Sequence, residues 1–228
     1  MHVRTTTSTV LGIAFLLQAI GSLAPALRIP LIEPQNIPAT LIRVASHPAL
    51  MRTSIVAELI TAILILVLGV LLFLLLRKIN EDVALVALSC FLLEVALPSP
   101  SRIAAFSLLR ISQEYVASGY PAALHPLAAL QLDSMDLGYK LLMLPCCVGL
   151  ILFYWLLYQS RLIPRALSLW GLIAIAIALV GTLGTLVGYD IPFVVYAPYV
   201  PVEFVVGAWI WIRGFSTVPQ PQPVLVLS

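Results

Sequence analysis

Long apolar runs, broken only by short polar or proline-bearing stretches, make up most of this chain. A hydrocarbon core of roughly 30 Å takes about 20 helical residues at ~1.5 Å each. Six runs reach that length, at residues 7–27, 53–76, 83–109, 137–158, 163–187 and 194–215. They are continuous and do not alternate, so a barrel is excluded, and lipid cannot satisfy an open sheet edge; each run therefore predicts a helix. The expected fold class is all-α: a polytopic integral membrane helical bundle of about six transmembrane helices. One domain covers residues 1–216, and the tail at 217–228, with Pro219, Pro221 and Pro223, is too short and proline-rich to fold.

The interruptions carry information too. In the third run, Pro98-Ser99-Pro100-Ser101 removes two helix donors and disfavours helix just before each proline, so this helix is kinked or split into two halves. Broken helices at membrane depth are tolerated where protein or a water-filled cavity lines them. Between the first two runs, residues 28–51 hold Pro30, Pro34, Pro38 and Pro48 around a short pattern at 39–44. That pattern fits a brief helix along the membrane surface with Arg43 toward the headgroups, or a plain loop. In the connection at 112–136, Gly119-Tyr120-Pro121 marks a turn and residues 122–132 suit another short helix. Ala24-Pro25-Ala26, after a basic N-terminus and an apolar stretch, resembles a secretory cleavage motif. Pro25 within that motif and the length of the run favour a retained helix. Gly181, Gly184 and Gly188 in the fifth run, the last two in G-x-x-x-G spacing, offer a face for close helix packing and a possible partner in a membrane complex.

Composition agrees with the pattern: 61% of residues are hydrophobic, 10% are charged, and mean hydropathy is +1.08, too apolar for a soluble domain. A net charge of +2 without a basic cluster gives no footprint for nucleic acid, and the bilayer is the expected partner. Arg4, Arg77, Lys78, Arg161, Arg165 and Arg213 fall on one side, and Arg28, Arg43, Arg52, Arg110 and Lys140 on the other. The dense charge in the tight loops at 77–78 and 161–165 places both termini in the cytoplasm of a multi-pass cell-membrane protein. Cys90, Cys146 and Cys147 lie in apolar runs, where a thiol is a small packing residue. Trp155, Trp170, Trp209 and Trp211 suit interfacial anchoring.

Charged groups inside a span cost roughly 2.5–3.5 kcal/mol each on insertion scales and call for a partner or a purpose. Glu58, Glu94, Arg102 and Glu203 are such groups. Ser54, Glu58 and Thr61 share one helix face, as do Tyr196, Tyr199, Glu203 and Gly207, and Cys90 and Glu94 share a face that reaches Ser101 if the helix continues. Counted along the helices, Glu58 lies about 8 Å below the external end of its span and Glu203 about 13 Å, while Glu94 rises about 16 Å and Arg102 about 28 Å from the internal end. These depths suggest a Glu58–Arg102 ion pair above a Glu94 and Glu203 pair. The ligand-binding candidates are accordingly Glu58, Glu94, Arg102, Tyr196, Tyr199 and Glu203, with no metal and no cofactor expected. His2, His47 and His125 lie outside the spans, and no H-E-x-x-H, paired E-x-x-H, G-x-S-x-G or Walker motif occurs.

The stretch Leu157-Tyr158-Gln159-Ser160-Arg161-Leu162-Ile163-Pro164-Arg165-Ala166-Leu167 resembles a signature of the bacterial family known as domain of unknown function 4386. The similarity extends to 52–60 with Glu58, to Ser112-Gln113-Glu114-Tyr115, and to Val202-Glu203-Phe204 followed by 209–215. The resemblance implies an integral membrane protein of about six helices with no established activity. The Pro164-Arg165 step reads as topology, with proline in the first turn and arginine at the headgroups.

Two functions stand at this point. One is an accessory or stabilising subunit of a membrane assembly, or a binder of a lipophilic ligand. The other is an intramembrane enzyme or proton-coupled transporter acting on a lipophilic small molecule through the buried carboxylates, for which a proton-sharing carboxyl pair is the usual equipment. The second requires a cavity among the second, third and sixth helices.

Overall fold

A computed structural model of the chain describes residues 2–3 and 5–216; the proline-rich tail lies outside the described residues. Among the described residues, eight α-helices carry the fold: α1 (Thr6–Gly21), α2 (Ile37–Ser46), α3 (Pro48–Leu76), α4 (Glu81–Ala96), α5 (Ser99–Ala117), α6 (His125–Ser160), α7 (Arg165–Leu186) and α8 (Val200–Arg213). Three 3-10 segments join them, at Ala24–Leu31, Ala122–Leu124 and Phe193–Tyr196. Six stretches are long and apolar enough to cross a membrane, so the all-helical, six-span class holds. Near the chain ends, β1 (His2–Val3) pairs antiparallel with β2 (Phe215–Ser216), which places both ends of the bundle on one side.

Local chemistry explains where the helices begin. Thr5 and Ser8 form a reciprocal capping box, with N–H to hydroxyl bonds of 3.1 and 2.9 Å, and start α1. Asn80 accepts the Val83 N–H at 3.0 Å and, with Glu81 and Asp82 in the first turn, starts α4. Prolines occupy the first or second position of α2, α3, α5, α6 and α8, where a missing N–H costs nothing.

Two expectations change, for the first span and for 122–132, and two open alternatives are resolved. The first span ends as α-helix at Gly21 and continues through the 3-10 segment Ala24–Leu31, because Pro25 and Pro30 forbid an α-helical ladder there. The third run is two helices, α4 and α5, interrupted only at Leu97 and Pro98. The short helix expected at 122–132 does not stand apart: α6 runs unbroken for 36 residues, about 54 Å. The segment at 39–44 is helical in α2, buries Thr40, Leu41 and Val44, and leaves Arg43 exposed and paired with Glu33 at 3.0 Å.

Helix α6 is the axis of the molecule, packing on α4, α5 and α7, while α1 lies between α8 and α3. It is also the most buried span, with 56% of its apolar window buried against 28–39% in the others. Two apolar cores are stacked along it. The inner core, at the end where β1 and β2 pair, gathers Leu11, Phe15, Leu68, Leu72, Phe91, Phe153, Tyr154, Ala178 and Val206. The outer core gathers Leu31, Leu41, Val44, Met51, Ile55, Leu108, Tyr115, Ala128 and Met135. At 22 residues, α7 spans about 33 Å, one bilayer thickness. Its outer end, at Thr182 and Thr185, is level with Asp136 and Lys140 of α6, since one hollow is lined by all four. Helix α6 outward of that level, the start of α3, most of α5 and all of α2 therefore extend beyond the outer end of α7.

Candidate functional site

Reading along the three longest arms, polar residues fall between the two cores every time. On α3, Glu58 and Thr61 follow Met51 and Ile55 of the outer core and precede Leu68 and Leu72 of the inner one. On α6, Tyr139, Leu142, Met143 and Cys146 lie at the same junction, and on the α4–α5 arm Glu94, Pro98, Ser101 and Arg102 do. Packing fails at this seam, leaving a cavity of about 220 Å³. That is far above the roughly 10–15 Å³ needed by one water and just under the ~300–1,000 Å³ of drug-sized sites.

All six candidates from the sequence (Glu58, Glu94, Arg102, Tyr196, Tyr199 and Glu203) line this cavity. At its outer end, Arg28 and Glu58 form an ion pair, and Arg102 Nε lies 3.9 Å from the second Glu58 oxygen. Arg102 Nη1 donates to the Val95 carbonyl at 3.3 Å, one of the carbonyls left open where α4 stops. The helix break thus both frees an acceptor and delivers the guanidinium that fills it. Ser101, whose hydroxyl donates to the Pro98 carbonyl at 3.0 Å, settles the same turn, and Gly138 of α6 lets it approach closely.

The inner end is carboxylic. Glu203 sits in the first turn of α8, 5% exposed, and accepts a hydrogen bond from the Tyr199 hydroxyl; Gln18 of α1 is within bonding reach of it. Glu94, 7% exposed, is within reach of the Cys146 thiol, and the two carboxyls are near enough for their charges to interact. Tyr196 joins the wall at the end of its 3-10 segment, with the Thr182 hydroxyl 3.5 Å from its own.

The sequence reading missed Arg28, Gln18, Tyr139 and Cys146. Arg28 looked like a loop residue because its contact is made by a folded-back 3-10 segment, held down where Ser54 Oγ donates to the Ala24 carbonyl at 3.0 Å. Gln18 could have been found, as the one amide within an apolar run. Cys146 carries no local signal that separates it from Cys147. The fifth-helix glycines serve the chain itself: Gly181 and Gly184 receive Val195 and Ile191, and Gly188 lies beyond α7 at φ 101°, in the turn rather than on the helix face.

Among the described residues, no group of three His, Cys, Asp or Glu side chains is placed to hold a metal ion. No curated protein and no solved structure matches the chain. A family model does, over residues 10–214, which takes in every helix from α1 to α8 and the whole wall of the cavity. The chain belongs to the family described as Domain of unknown function (DUF4386).

Proposed function

We propose that this protein binds a small lipophilic molecule in the seam cavity, within a bacterial cell membrane and with both termini in the cytoplasm. One observation carries the reading: charged and polar groups from six α-helices and two 3-10 segments converge on a space that neighbouring side chains leave unfilled. A scaffold has no need of such a space, and its walls are mixed in the way ligand sites are, mainly apolar with a few placed polar groups. The orientation rests on Arg77, Lys78, Arg161 and Arg165, which lie in the short turns at the end where β1 and β2 meet.

The test is native mass spectrometry of the protein extracted from its host with lipids and partners retained. A bound small molecule that is lost in Glu58→Gln or Glu203→Gln protein of normal fold supports the site. A stoichiometric protein partner with an empty cavity replaces this reading with the subunit role. One further observation favours transport or catalysis as a second reading. The carboxyl pair Glu94 and Glu203 sits behind Tyr139, Met143 and Tyr196, residues shared with a second hollow that carries the Asp136–Lys140 pair. Proton-coupled uptake of a labelled substrate into vesicles, abolished by Glu94→Gln, would decide for it.

A further inference from the structure

We propose that the Arg28–Arg102 corner of the cavity binds the anionic head of a small single-chain amphiphile, an alkyl carboxylate in its simplest form, with the chain along the wall toward Phe204. This deepens the ligand-binding reading and rests on it.

The charge balance at the corner leads to this ligand. Two guanidiniums converge on a single carboxylate, Glu58, and all three side chains are only 12–14% exposed. Among the described residues, neither arginine forms an ion pair with any other acid, and Glu94 and Glu203 in the same cavity pair with neither. One positive charge is therefore left over at a site shielded from water, where it is poorly screened. Hydrogen bonding is incomplete as well. Arg102 Nε is buried without a hydrogen-bond acceptor, since 3.9 Å to Glu58 is too long for one. A planar guanidinium with free donors is suited to a carboxylate or phosphate, which accepts from its fork and neutralises the surplus.

The remaining walls describe the rest of the ligand. Ile65, Leu142, Met143 and Phe204 give the cavity an apolar side. Leu23, Tyr139 and Val200 line it yet are 51%, 47% and 39% exposed, so the cavity reaches the surface between the end of α1 and the start of α8. A single-chain amphiphile entering there would set its head at the two arginines and its chain along the apolar side. At about 220 Å³ the space admits one short chain and not a whole two-chain lipid.

The experiment uses the full chain in nanodiscs of zwitterionic lipid and titrates three probes of one length: octanoate, octanol and octylamine. Octanoate is expected to bind saturably and about tenfold or more tighter than octanol, with octylamine weaker still. Arg102→Gln should remove roughly that tenfold for octanoate while leaving octanol unchanged. Arg102→Lys keeps the charge but loses the fork and should fall between, which covers the case in which Arg102→Gln does not fold. Equal binding of octanoate and octanol overturns the anion-binding corner while leaving the cavity as a ligand site. Absence of saturable octanoate binding also overturns it; the broader reading falls only if native mass spectrometry finds the cavity empty too.

Discussion

The inner and outer cores share only α3 and α6 and are built by different means. Where α1 meets α8, glycines make the contact. A Cβ on Gly12 would come within 2.5 Å of the Trp211 backbone nitrogen, and one on Gly207 within 2.9 Å of Phe15 Cβ. Gly69, Gly149 and Gly171 receive Phe91, Cys90 and Tyr154 in the same way. The outer core is filled mainly by Leu31, Leu41, Met51, Ile55, Leu108 and Met135, with one such contact, Gly138 against Ser101, at its seam end. Lipid gives helices no hydrophobic reason to associate, so backbones must approach closely and gain dispersion. In the outer core, large aliphatic side chains supply the contact by burying apolar area.

The comparison can be broken from either side. Leu108→Ala, a fully buried truncation in the outer core, should cost about 2–5 kcal/mol of outer-core stability. Hydrogen exchange should show lost protection in α2 and the end of α5 while α1 and α8 stay protected. Uniform loss through the inner helices would mean that the two cores unfold as one. Gly12→Ala adds a methyl where the Trp211 backbone already sits and should cost roughly 1–3 kcal/mol, with the added exchange confined to α1 and α8. Unaltered stability there would remove close backbone approach as the inner principle. Lys140→Ala deletes a partly exposed i,i+4 pair at the boundary, Lys140 Nζ to Asp136 at 2.6 Å, and should shift stability by no more than about 0.5 kcal/mol in a double-mutant cycle. A larger effect would place that pair in a drier setting than the bilayer boundary.

Much of the site could be read from residue order, for reasons that differ by residue. Glu58, Glu94 and Glu203 stand out because an ionisable group in an apolar run is costly wherever it points. Tyr196 and Tyr199 followed from helical spacing with Glu203. Arg102 was placed by counting rise per residue, which works because α3 and the α4–α5 arm run side by side. The count could not include Arg28. No regular rise applies across Ser22 and Leu23 into a 3-10 segment with Pro25 and Pro30, so nothing in the local order told that residue 28 returns to residue 58. The second connection failed for a related reason. Asp133, Ser134 and Asp136 fell between the short helix expected at 122–132 and the fourth span, whereas α6 continues unbroken through them.

By itself the sequence determined the number of spans, the sites of the breaks and the identity of the charges that fall inside the spans. Each depends on properties that travel with the residue: hydropathy, the missing donor of proline, and the cost of charge in lipid. The tertiary structure alone decided that the first and third arms bring Arg28 and Arg102 to one carboxylate, and that Gly181 and Gly184 are filled from within the chain. It also decided that two cores of different make leave a cavity where they meet. These are outcomes of packing between residues far apart in the chain, where which side chain fills a space depends on every neighbour that might have filled it instead.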